Sequence, residues 1–331
     1  MTTILPLCQF PKKEIKSWGA AYCTVQRIGK DFDCLIYEML FLPGKALADQ
    51  LGIPAFRLFS TFTLNEKVLN DFGKTGGWYM TFIFRYPLLC KLLSLILQKK
   101  FNLLYGSIAK EMTSNAPKLN FTYTIKEFQI YSNDFDSSSY KYVGASIGCR
   151  DEEDFDFSNM ENPIIYISLG TLLNTSVKFY RTCLDAFQEQ PVTVVMSIGT
   201  VVKTEQLGKI PDNFYIYPFV PQLQVLKKAS LFITHGGMNS VNEALFYGTP
   251  MLVIPVGNDQ PTVAGQVEIL GLGKYIKQKD LDTTSLQLAA MEILNNIDYK
   301  KALKEFQMKS QAAGGNMEIA RQILAELNNA Y

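Results

Sequence analysis

The sequence predicts an α/β protein built from two domains, each with a doubly wound parallel sheet. Three observations lead to this fold class. The chain has 331 residues, of which 47% are hydrophobic and 19% charged, enough to build two cores. In its second half, apolar β-rich runs alternate with helix-like segments at the spacing of βαβ units. Between the halves lies an acidic, turn-rich stretch, CRDEEDFDFSNMENP.

The first domain is expected to cover residues 1–148, which are rich in apolar and aromatic side chains. Its most apolar part, residues 78–105, is interrupted by Arg85, Pro87 and Lys91, so it lacks the span of about 20 apolar residues that crosses a membrane. Three interpretations stay open for this part. It forms core helices, an aromatic pocket for a hydrophobic ligand, or a weak contact with a membrane surface.

The acidic stretch predicts an interdomain linker over residues 149–162. The consecutive carboxylates Asp151, Glu152, Glu153 and Asp154 could suggest a cation site. Contiguous carboxylates in a linker are usually solvated, so we expect no metal there.

The second domain, expected over residues 163–316, opens with the buried-strand run IIYIS at 164–168. This strand ends in a small polar turn that contains Gly170 and Thr171. A helix is expected from about Val177. Taken alone, such a strand–turn–helix join is a generic structural feature.

The most informative stretch surrounds His235, the single histidine of the chain. The strand-like run LFIT ends at His235, and the turn at Gly236 and Gly237 precedes the helical segment MNSVNEALFYG. The N–H groups and the positive dipole end of that helix predict an anion site, and the expected anion is a phosphate. Asn239, Ser240 and Glu243 fall on neighbouring positions of the first helical turns, where a carboxylate accepts bonds from sugar hydroxyls.

Gly248 and Pro250 end this helix, and MLVIPV at 251–256 predicts the next strand. Asn258, Asp259 and Gln260 follow it. Since ligands of open parallel sheets lie across the carboxyl ends of the strands, these three strand ends should form one crevice. Singly, His235, Phe219, Gln222 and Glu243 each fit a structural or surface role; their combination favours ligand binding.

Composition limits the other function classes. The net charge of +1 offers no field for nucleic acid. Six cysteines without metal-ligand spacing favour reduced thiols in a cytoplasmic protein. The first residues lack the basic and apolar regions of a secretory signal.

Together these motifs resemble the donor-binding signature of UDP-glycosyltransferases, in particular the bacterial macrolide-type branch. The resemblance runs from about Asp31 to the C-terminus and includes SLGT at 168–171, FVPQ at 219–222, THGGMNS at 234–240, Glu243 and DQ at 259–260. It implies the GT-B fold, in which two Rossmann-like domains face a cleft. It also implies that the C-terminal helix, residues 317–331, packs back on the first domain.

The resemblance further implies a role for each motif. Gly170 and Thr171 would hold phosphate oxygens, and Phe219, Val220 and Gln222 the uracil and ribose, with Phe219 stacking on the base. The diphosphate would lie on His235, Gly236, Gly237, Asn239 and Ser240. Glu243 would bind the ribose hydroxyls, and Asp259 and Gln260 the transferred sugar. The expected reaction is inverting, metal-independent transfer of a hexose to a hydroxyl of a hydrophobic small molecule, with UDP-glucose as the expected donor and with no cofactor.

One departure from the family pattern concerns the catalytic base. Family members begin with a strand and a histidine that activates the acceptor hydroxyl, and roughly two βα units, on the order of 60 residues, are expected to be absent here. Glu38 occupies the place of the aspartate that orients that histidine, so it is a candidate base; a structural cap and deprotonation by water are the alternatives. Three hypotheses follow: an active transferase, a UDP-sugar-binding remnant, or a subunit whose acceptor domain a second chain completes.

Overall fold

The computed structural model describes residues 5–75, 87–148, 154–170 and 175–329, and for residues 5–14 the backbone alone. It confirms the α/β class. The described strands form two sheets, one of four strands and one of six, and all neighbouring strands in these sheets run parallel.

The first sheet has the strand order β1-β2-β3-β4, with β1 at one edge. Its elements are α1 (Leu5–Ile28), β1 (Leu35–Glu38), α2 (Gly44–Leu51), β2 (Ala55–Phe59), α3 (Glu66–Thr75), α4 (Pro87–Phe101), α5 (Ile108–Ser114), β3 (Leu119–Thr122) and β4 (Tyr140–Tyr142).

The second sheet has the order β10-β9-β8-β5-β6-β7. The elements of this half of the chain are β5 (Ile164–Ser168), α6 (Val177–Phe187), β6 (Thr193–Ser197), β7 (Phe214–Tyr217), α7 (Gln222–Lys228), β8 (Leu231–Thr234), α8 (Met238–Tyr247), β9 (Met251–Val253), α9 (Gln260–Ile269), β10 (Gly273–Tyr275), α10 (Thr283–Asn295), α11 (Ile297–Ala312) and α12 (Gly315–Asn328). The chain order reverses between β5 and β8, which is the topological switch point of a doubly wound sheet.

Local signals explain where several of these elements start and stop. The side chain of Ser176 accepts a hydrogen bond from the Phe179 N–H and starts α6 at Val177, as predicted. Gly248 ends α8 in the left-handed conformation, with φ of 69°. The strand predicted over 251–256 already ends at Val253, because the Gln260 side chain binds the N–H groups of Val256 and Gly257 and turns the chain.

The last helix lies on the first sheet. Ile319 and Ile323 of α12 are each 6% exposed and pack in one cluster with Phe56 and Phe121. At the start of this helix, the Gly315 N–H donates to the Val143 carbonyl at 2.7 Å. The helix begins at Gly315, whereas the sequence pattern indicated residue 317. The second half of the chain thus contributes directly to the core beside the first sheet.

The acidic stretch between the sheets is described from residue 154 onward, while residues 149–153, including Asp151, Glu152 and Glu153, lie outside the described part. Phe155 N–H donates to the Gln224 side chain at 2.9 Å, and the Tyr215 hydroxyl donates to the Asn159 carbonyl at 2.7 Å. This connection therefore packs against the second sheet's elements.

Within the apolar stretch at 78–105, the structure describes helix α4 and the residues that follow it. Residues 76–86 lie outside the description. One face packs in the core through Cys90, Leu97 and Phe101. The opposite face is solvent-exposed at Leu88, Leu92 and Ile96, so the core-helix interpretation fits one side of this helix only. Among the described helices, none is long and apolar enough to cross a membrane.

Candidate functional site

The switch point of the second sheet brings together two of the predicted turns. Strands β5 and β8 pair in parallel, with Ser168 opposite Thr234. Gly170 and His235, which follow those residues, therefore lie side by side at the carboxyl edge. This is the position at which open parallel sheets bind their ligands.

The His235 ring lies between two glycines. A Cβ built on Gly170 would be 2.8 Å from His235 Cε1, and one on Gly237 would be 2.5 Å from His235 Nε2. Both distances are too short for a real side chain, so only glycine leaves room for the ring. Gly170 also has φ of 73°, and Gly236 φ of 83°, both in the left-handed region.

His235 is uncharged at neutral pH. Burial lowers the pKa of its imidazole to about 4. Its Nδ1 is buried and makes no hydrogen bond to any residue that the structure describes. A neutral imidazole offers one N–H donor and one acceptor, so His235 can hydrogen-bond a phosphate oxygen but adds no positive charge.

Helix α8 starts directly after this histidine. Gly237 is its N-cap residue and has no side chain to bond the first-turn N–H groups. Asn239 is exposed and Ser240 half-buried in that first turn. The helix start therefore presents backbone donors and the positive dipole end beside His235. Thr171, the predicted partner on the opposite turn, lies outside the described residues.

The predicted ribose-binding residues form a hydrogen-bonded group. Gln222, the first residue of α7, donates from Nε2 to the Glu243 carboxylate and to Ser240 Oγ, the latter at 3.3 Å. Its Oε1 accepts from the Tyr166 hydroxyl at 3.0 Å. Glu243 is only 6% exposed, so it is not the solvated surface residue that its helical position alone would suggest. Tyr166 was not anticipated, since its sequence signal was only that of a buried strand residue.

Phe219 and Val220 link β7 to α7 and differ in environment. The Phe219 ring is 60% exposed, whereas Val220 packs against the main hydrophobic core. An exposed aromatic ring held by a short, Pro-flanked connection can stack on a flat ligand.

Asp259 and Gln260 stand at the start of α9 and have separate functions in the fold. Gln260 is buried, and its Oε1 accepts from Val256 N at 2.8 Å and from Gly257 N at 3.0 Å. Asp259 makes no side-chain cap bond to α9. Its carboxylate instead accepts a hydrogen bond from the Thr61 hydroxyl of the first domain. Burial raises the pKa of Asp259, although the Thr61 bond opposes this rise.

Glu38, the candidate base, lies at the end of β1. Its Oε1 accepts from Ser60 Oγ at 2.9 Å, and its Oε2 accepts from the Leu40 N–H at 2.6 Å. Ser60 directly precedes Thr61, which contacts Asp259. The carboxyl ends of β1 and β2 thus face the loop of the second domain that carries Asp259. Sequence reasoning missed Ser60 and Thr61; the signal was a pair of hydroxyl residues right after the strand run AFRLF.

Comparison with known proteins agrees with this geometry. Residues 80–309 match the family model described as "UDP-glucoronosyl and UDP-glucosyl transferase". This match covers more than half of the chain and includes every predicted donor-side residue.

Curated bacterial relatives match over most of the chain. It is 36% identical to the uncharacterized UDP-glucosyltransferase YojK of Bacillus subtilis over 304 residues, which is 89% of this chain and 73% of the relative. It is 34% identical to the NDP-glycosyltransferase YjiC of the same organism, covering 88% of this chain and 72% of that protein. Oleandomycin glycosyltransferase of Streptomyces antibioticus is 31% identical over 61% of this chain and 47% of its own length.

Solved structures show the same fold. The kitacinnamycin glycosyltransferase superposes with a TM-score of 0.76 at 27% identity, covering 89% of this chain and 76% of that one. The calicheamicin glycosyltransferase CalG4 gives a TM-score of 0.78 at 23% identity, covering 97% and 80%. The two-sheet architecture is therefore that of GT-B glycosyltransferases. By family match and by relatives alike, the chain belongs to the UDP-glucoronosyl and UDP-glucosyl transferase family, whose reaction is glycosyl transfer from a nucleotide sugar to an acceptor.

Proposed function

We propose that this chain transfers glucose from UDP-glucose to a hydroxyl of a hydrophobic small molecule, with inversion at the anomeric carbon. The observation that supports this most strongly is the meeting of Gly170, neutral His235 and the start of α8 at the sheet's switch point. That arrangement suits a diphosphate. The names of relatives support the sugar and the acceptor class: a UDP-glucosyltransferase, an oleandomycin glycosyltransferase and a zeaxanthin glucosyltransferase.

In the proposed complex, UDP lies across the carboxyl edge of the second sheet. Phe219 stacks on the uracil, and the Glu243 carboxylate accepts bonds from the ribose hydroxyls. The diphosphate takes hydrogen bonds from His235 and from the first-turn N–H groups of α8. The carboxylate of Asp259, at the start of α9, accepts a hydrogen bond from a hydroxyl of the hexose. Gln260 shapes the loop that presents Asp259, since its carbonyl oxygen binds two loop amides.

The proposed reaction is a direct displacement. The acceptor oxygen forms a bond to the anomeric carbon while the bond from that carbon to the UDP oxygen breaks, which inverts the centre. The leaving diphosphate is stabilised by the helix start and by N–H donors, so the proposal needs no metal and no cofactor. The acceptor proton passes to a base, a role typically worth about 10²–10⁴-fold in rate.

We assign that base to Glu38. Its carboxylate lies at the carboxyl edge of the first sheet, hydrogen-bonded to Ser60 and so next to the Thr61 contact with Asp259. Replacement Glu38→Gln keeps the shape and removes the proton acceptor. We expect the transfer rate to fall by about 10²-fold or more, with UDP binding unchanged. An unchanged rate would exclude Glu38 and leave deprotonation to water.

Helix α4 supports the hydrophobic acceptor. Its exposed leucine face offers apolar surface next to the first domain's core. The same helix carries Lys91, Lys99 and Lys100. The proposal therefore includes a weak contact of α4 with an anionic membrane surface, which would supply hydrophobic acceptors.

The experiment that tests transfer is mass spectrometry of the purified chain incubated with UDP-glucose and a panel of macrolides, flavonoids and carotenoids. We expect a product heavier by one hexose, and NMR of the product should show a β-glucoside. A folded protein that binds UDP-glucose and yields no product with any acceptor contradicts the proposal as it stands.

A second candidate function is that of a donor-binding subunit whose first sheet is extended by a strand of another polypeptide. The observation that favours it is the edge strand β1, around which Phe32, Ile36 and Leu40 are 58%, 48% and 45% exposed. Unpaired strand edges with apolar side chains invite a further strand. Transfer by the purified chain alone would exclude this candidate; UDP-glucose binding with transfer only after partner addition would support it.

A further inference from the structure

Thr61 of the first domain contacts the loop that carries Asp259, the residue predicted to bind the hexose. It follows β2 and is 8% exposed. Its Oγ1 donates to Asp259 Oδ2. The contact joins the carboxyl edge of the first sheet to the start of α9 in the second domain.

The loop on the second domain is built to present Asp259. Asn258 has φ of 57°, in the left-handed region, and Gln260 fixes the preceding amides through its side chain. Because Asp259 makes no cap bond to α9, its carboxylate remains available for groups outside the helix. The structure therefore uses a strained turn and a buried amide to aim one carboxylate at the first domain.

The loop on the first domain is held equally firmly. The Gln129 side chain accepts from the Thr63 N–H at 2.9 Å and donates to the Thr63 carbonyl at 3.2 Å. The neighbouring Phe128 carbonyl accepts from Gln266 of α9 at 3.1 Å. One hydrogen-bonded unit thus ties the Thr61 loop to the same helix that Asp259 starts. Thr61 is fixed relative to Asp259 by more than its own hydroxyl.

We propose that Thr61 is a positioning residue for hexose recognition: its hydroxyl occupies one oxygen of Asp259 and orients the carboxylate, so that the other oxygen reads a defined sugar hydroxyl. This inference rests on the proposed function, in which Asp259 binds the hexose. A carboxylate has about four acceptor positions, and the threonine bond uses one. The first domain thereby contributes to the choice of donor sugar, and not only to the choice of acceptor.

The test compares Thr61→Val, which is nearly isosteric and lacks the hydroxyl, with Thr61→Ser, which keeps it. Affinities for UDP, UDP-glucose and the 4-epimer UDP-galactose are measured by calorimetry, and kcat and KM for UDP-glucose are measured where transfer occurs. In Thr61→Val we expect unchanged UDP affinity and a loss of glucose-over-galactose discrimination of roughly tenfold, since a hydrogen bond to a charged group is removed. Thr61→Ser should retain the discrimination.

Two controls separate a positioning role from a structural one. Thr182→Val removes a hydroxyl that bonds only the Lys178 carbonyl of its own helix, and it should leave all affinities unchanged. Asp259→Asn tests the proposed function itself and should abolish the sugar preference. If Asp259→Asn loses the preference and Thr61→Val keeps it, the Thr61 inference fails alone. Equal weakening of UDP and UDP-glucose in Thr61→Val would also overturn it, because the threonine would then only hold the domains together.

If wild-type protein binds UDP-glucose no better than UDP and shows no epimer preference, the failure belongs to the proposed function. Should Thr61→Val fold poorly, Thr61→Ser and Thr61→Cys still decide the matter. Cysteine has a single γ atom, as serine does, but its thiol is a much weaker donor, so it should lose discrimination while serine retains it.

Discussion

His235 shows how one residue depends on its neighbours for both space and charge state. Its ring fits because Gly170 and Gly237 carry no side chain, and burial keeps it neutral. The sequence predicted that the strand ends at His235 and that a glycine turn and a helix start follow, because all three belong to one continuous motif. It did not predict the neutral state or the contact with Gly170, since both arise when β5 packs beside β8.

Replacement Gly237→Ala tests the packing against His235. The backbone at Gly237, with φ of −61°, accepts alanine, so the added methyl would act only through its 2.5 Å approach to His235 Nε2. We expect UDP affinity to fall by about tenfold or more as the ring is displaced. The control is Gly265→Ala in α9, where the methyl meets nothing within 4 Å. It should leave UDP affinity unchanged and raise the unfolding free energy by about 0.5–1 kcal/mol. UDP affinity unaltered in Gly237→Ala would contradict this account of the site.

The depressed pKa of His235 predicts a pH dependence of stability. Its folded-state pKa is about 4, against an ordinary value of 6.5. Between these values the unfolded state binds the extra proton, so the free energy of unfolding should fall as pH is lowered from about 6.5 to about 4, by about 3 kcal/mol in all. Above that window this residue contributes no pH dependence. Urea unfolding of wild type and His235→Gln at pH 7.5, 6 and 5 measures how the free energy of unfolding depends on pH in each. The same pH dependence in both proteins would mean that the histidine is not buried in its neutral form.

At the scale of elements, the site is assembled from the ends of strands and the beginnings of helices. β5, β8 and β9 end at the same edge, and α7, α8 and α9 begin there with Gln222, Met238 and Gln260. Alternating patterns predicted this arrangement. They did not predict that Gln222 bonds Glu243, because residues 21 positions apart meet only after α7 and α8 pack together.

The exposed ring between β7 and α7 gives a prediction for base stacking. Phe219→Ala should weaken UDP binding by about 1–3 kcal/mol, the range found for aromatic stacking on a base, with little loss of stability because the ring is 60% exposed. Phe219→Trp should bind UDP at least as well. Val201→Ala, at a side chain 61% exposed, is the control that should change neither property. Calorimetric titration with UDP measures the affinity of each variant. Equal UDP affinity of Phe219→Ala and wild type would rule out a stacking role for this ring.

Helix α4 gives a second prediction at this scale. The double replacement Leu92→Gln with Ile96→Gln removes exposed apolar surface, at 58% and 54% exposure, and should not unfold the helix. We expect the KM for a hydrophobic acceptor to rise roughly tenfold, because burial of apolar surface contributes about 25 cal/mol per Å² to binding and the variant loses apolar contact area. The affinity for UDP should not change. Ile269→Gln, at an 81% exposed residue of α9, is the matched control. Identical acceptor kinetics for both variants would remove α4 from the acceptor surface.

At the scale of the whole molecule, the two sheets are joined by the C-terminal helix and by α9. Ile319 and Ile323 of α12 complete the core of the first sheet, and α9 contacts the first domain through Asp259 and Gln266. Composition and periodicity predicted two α/β halves, and the resemblance to UDP-glycosyltransferases implied that the last helix packs back on the first domain. Thr61 was missed because its only signal, a pair of hydroxyl residues after a strand, does not reveal a partner that lies in the other domain.

The docking of α12 can be tested with two neighbouring residues. Ile323→Ala removes a side chain that is 6% exposed in the first sheet's cluster, and it should lower the unfolding free energy by about 2–4 kcal/mol. Leu324→Ala, at a residue 60% exposed, should change it by less than about 0.5 kcal/mol. Denaturant unfolding measures both, and similar values for the two variants would show that this helix does not dock as described.

Isothermal titration of the purified chain with UDP and with UDP-glucose, repeated on His235→Ala and on Glu38→Gln, tests the donor site directly. We expect wild type and Glu38→Gln to bind both ligands, with UDP-glucose favoured through Asp259, and His235→Ala to lose most of the affinity for both. A folded wild-type chain that binds neither ligand, or a His235→Ala variant that binds as well as wild type, would contradict the assignment of the donor site.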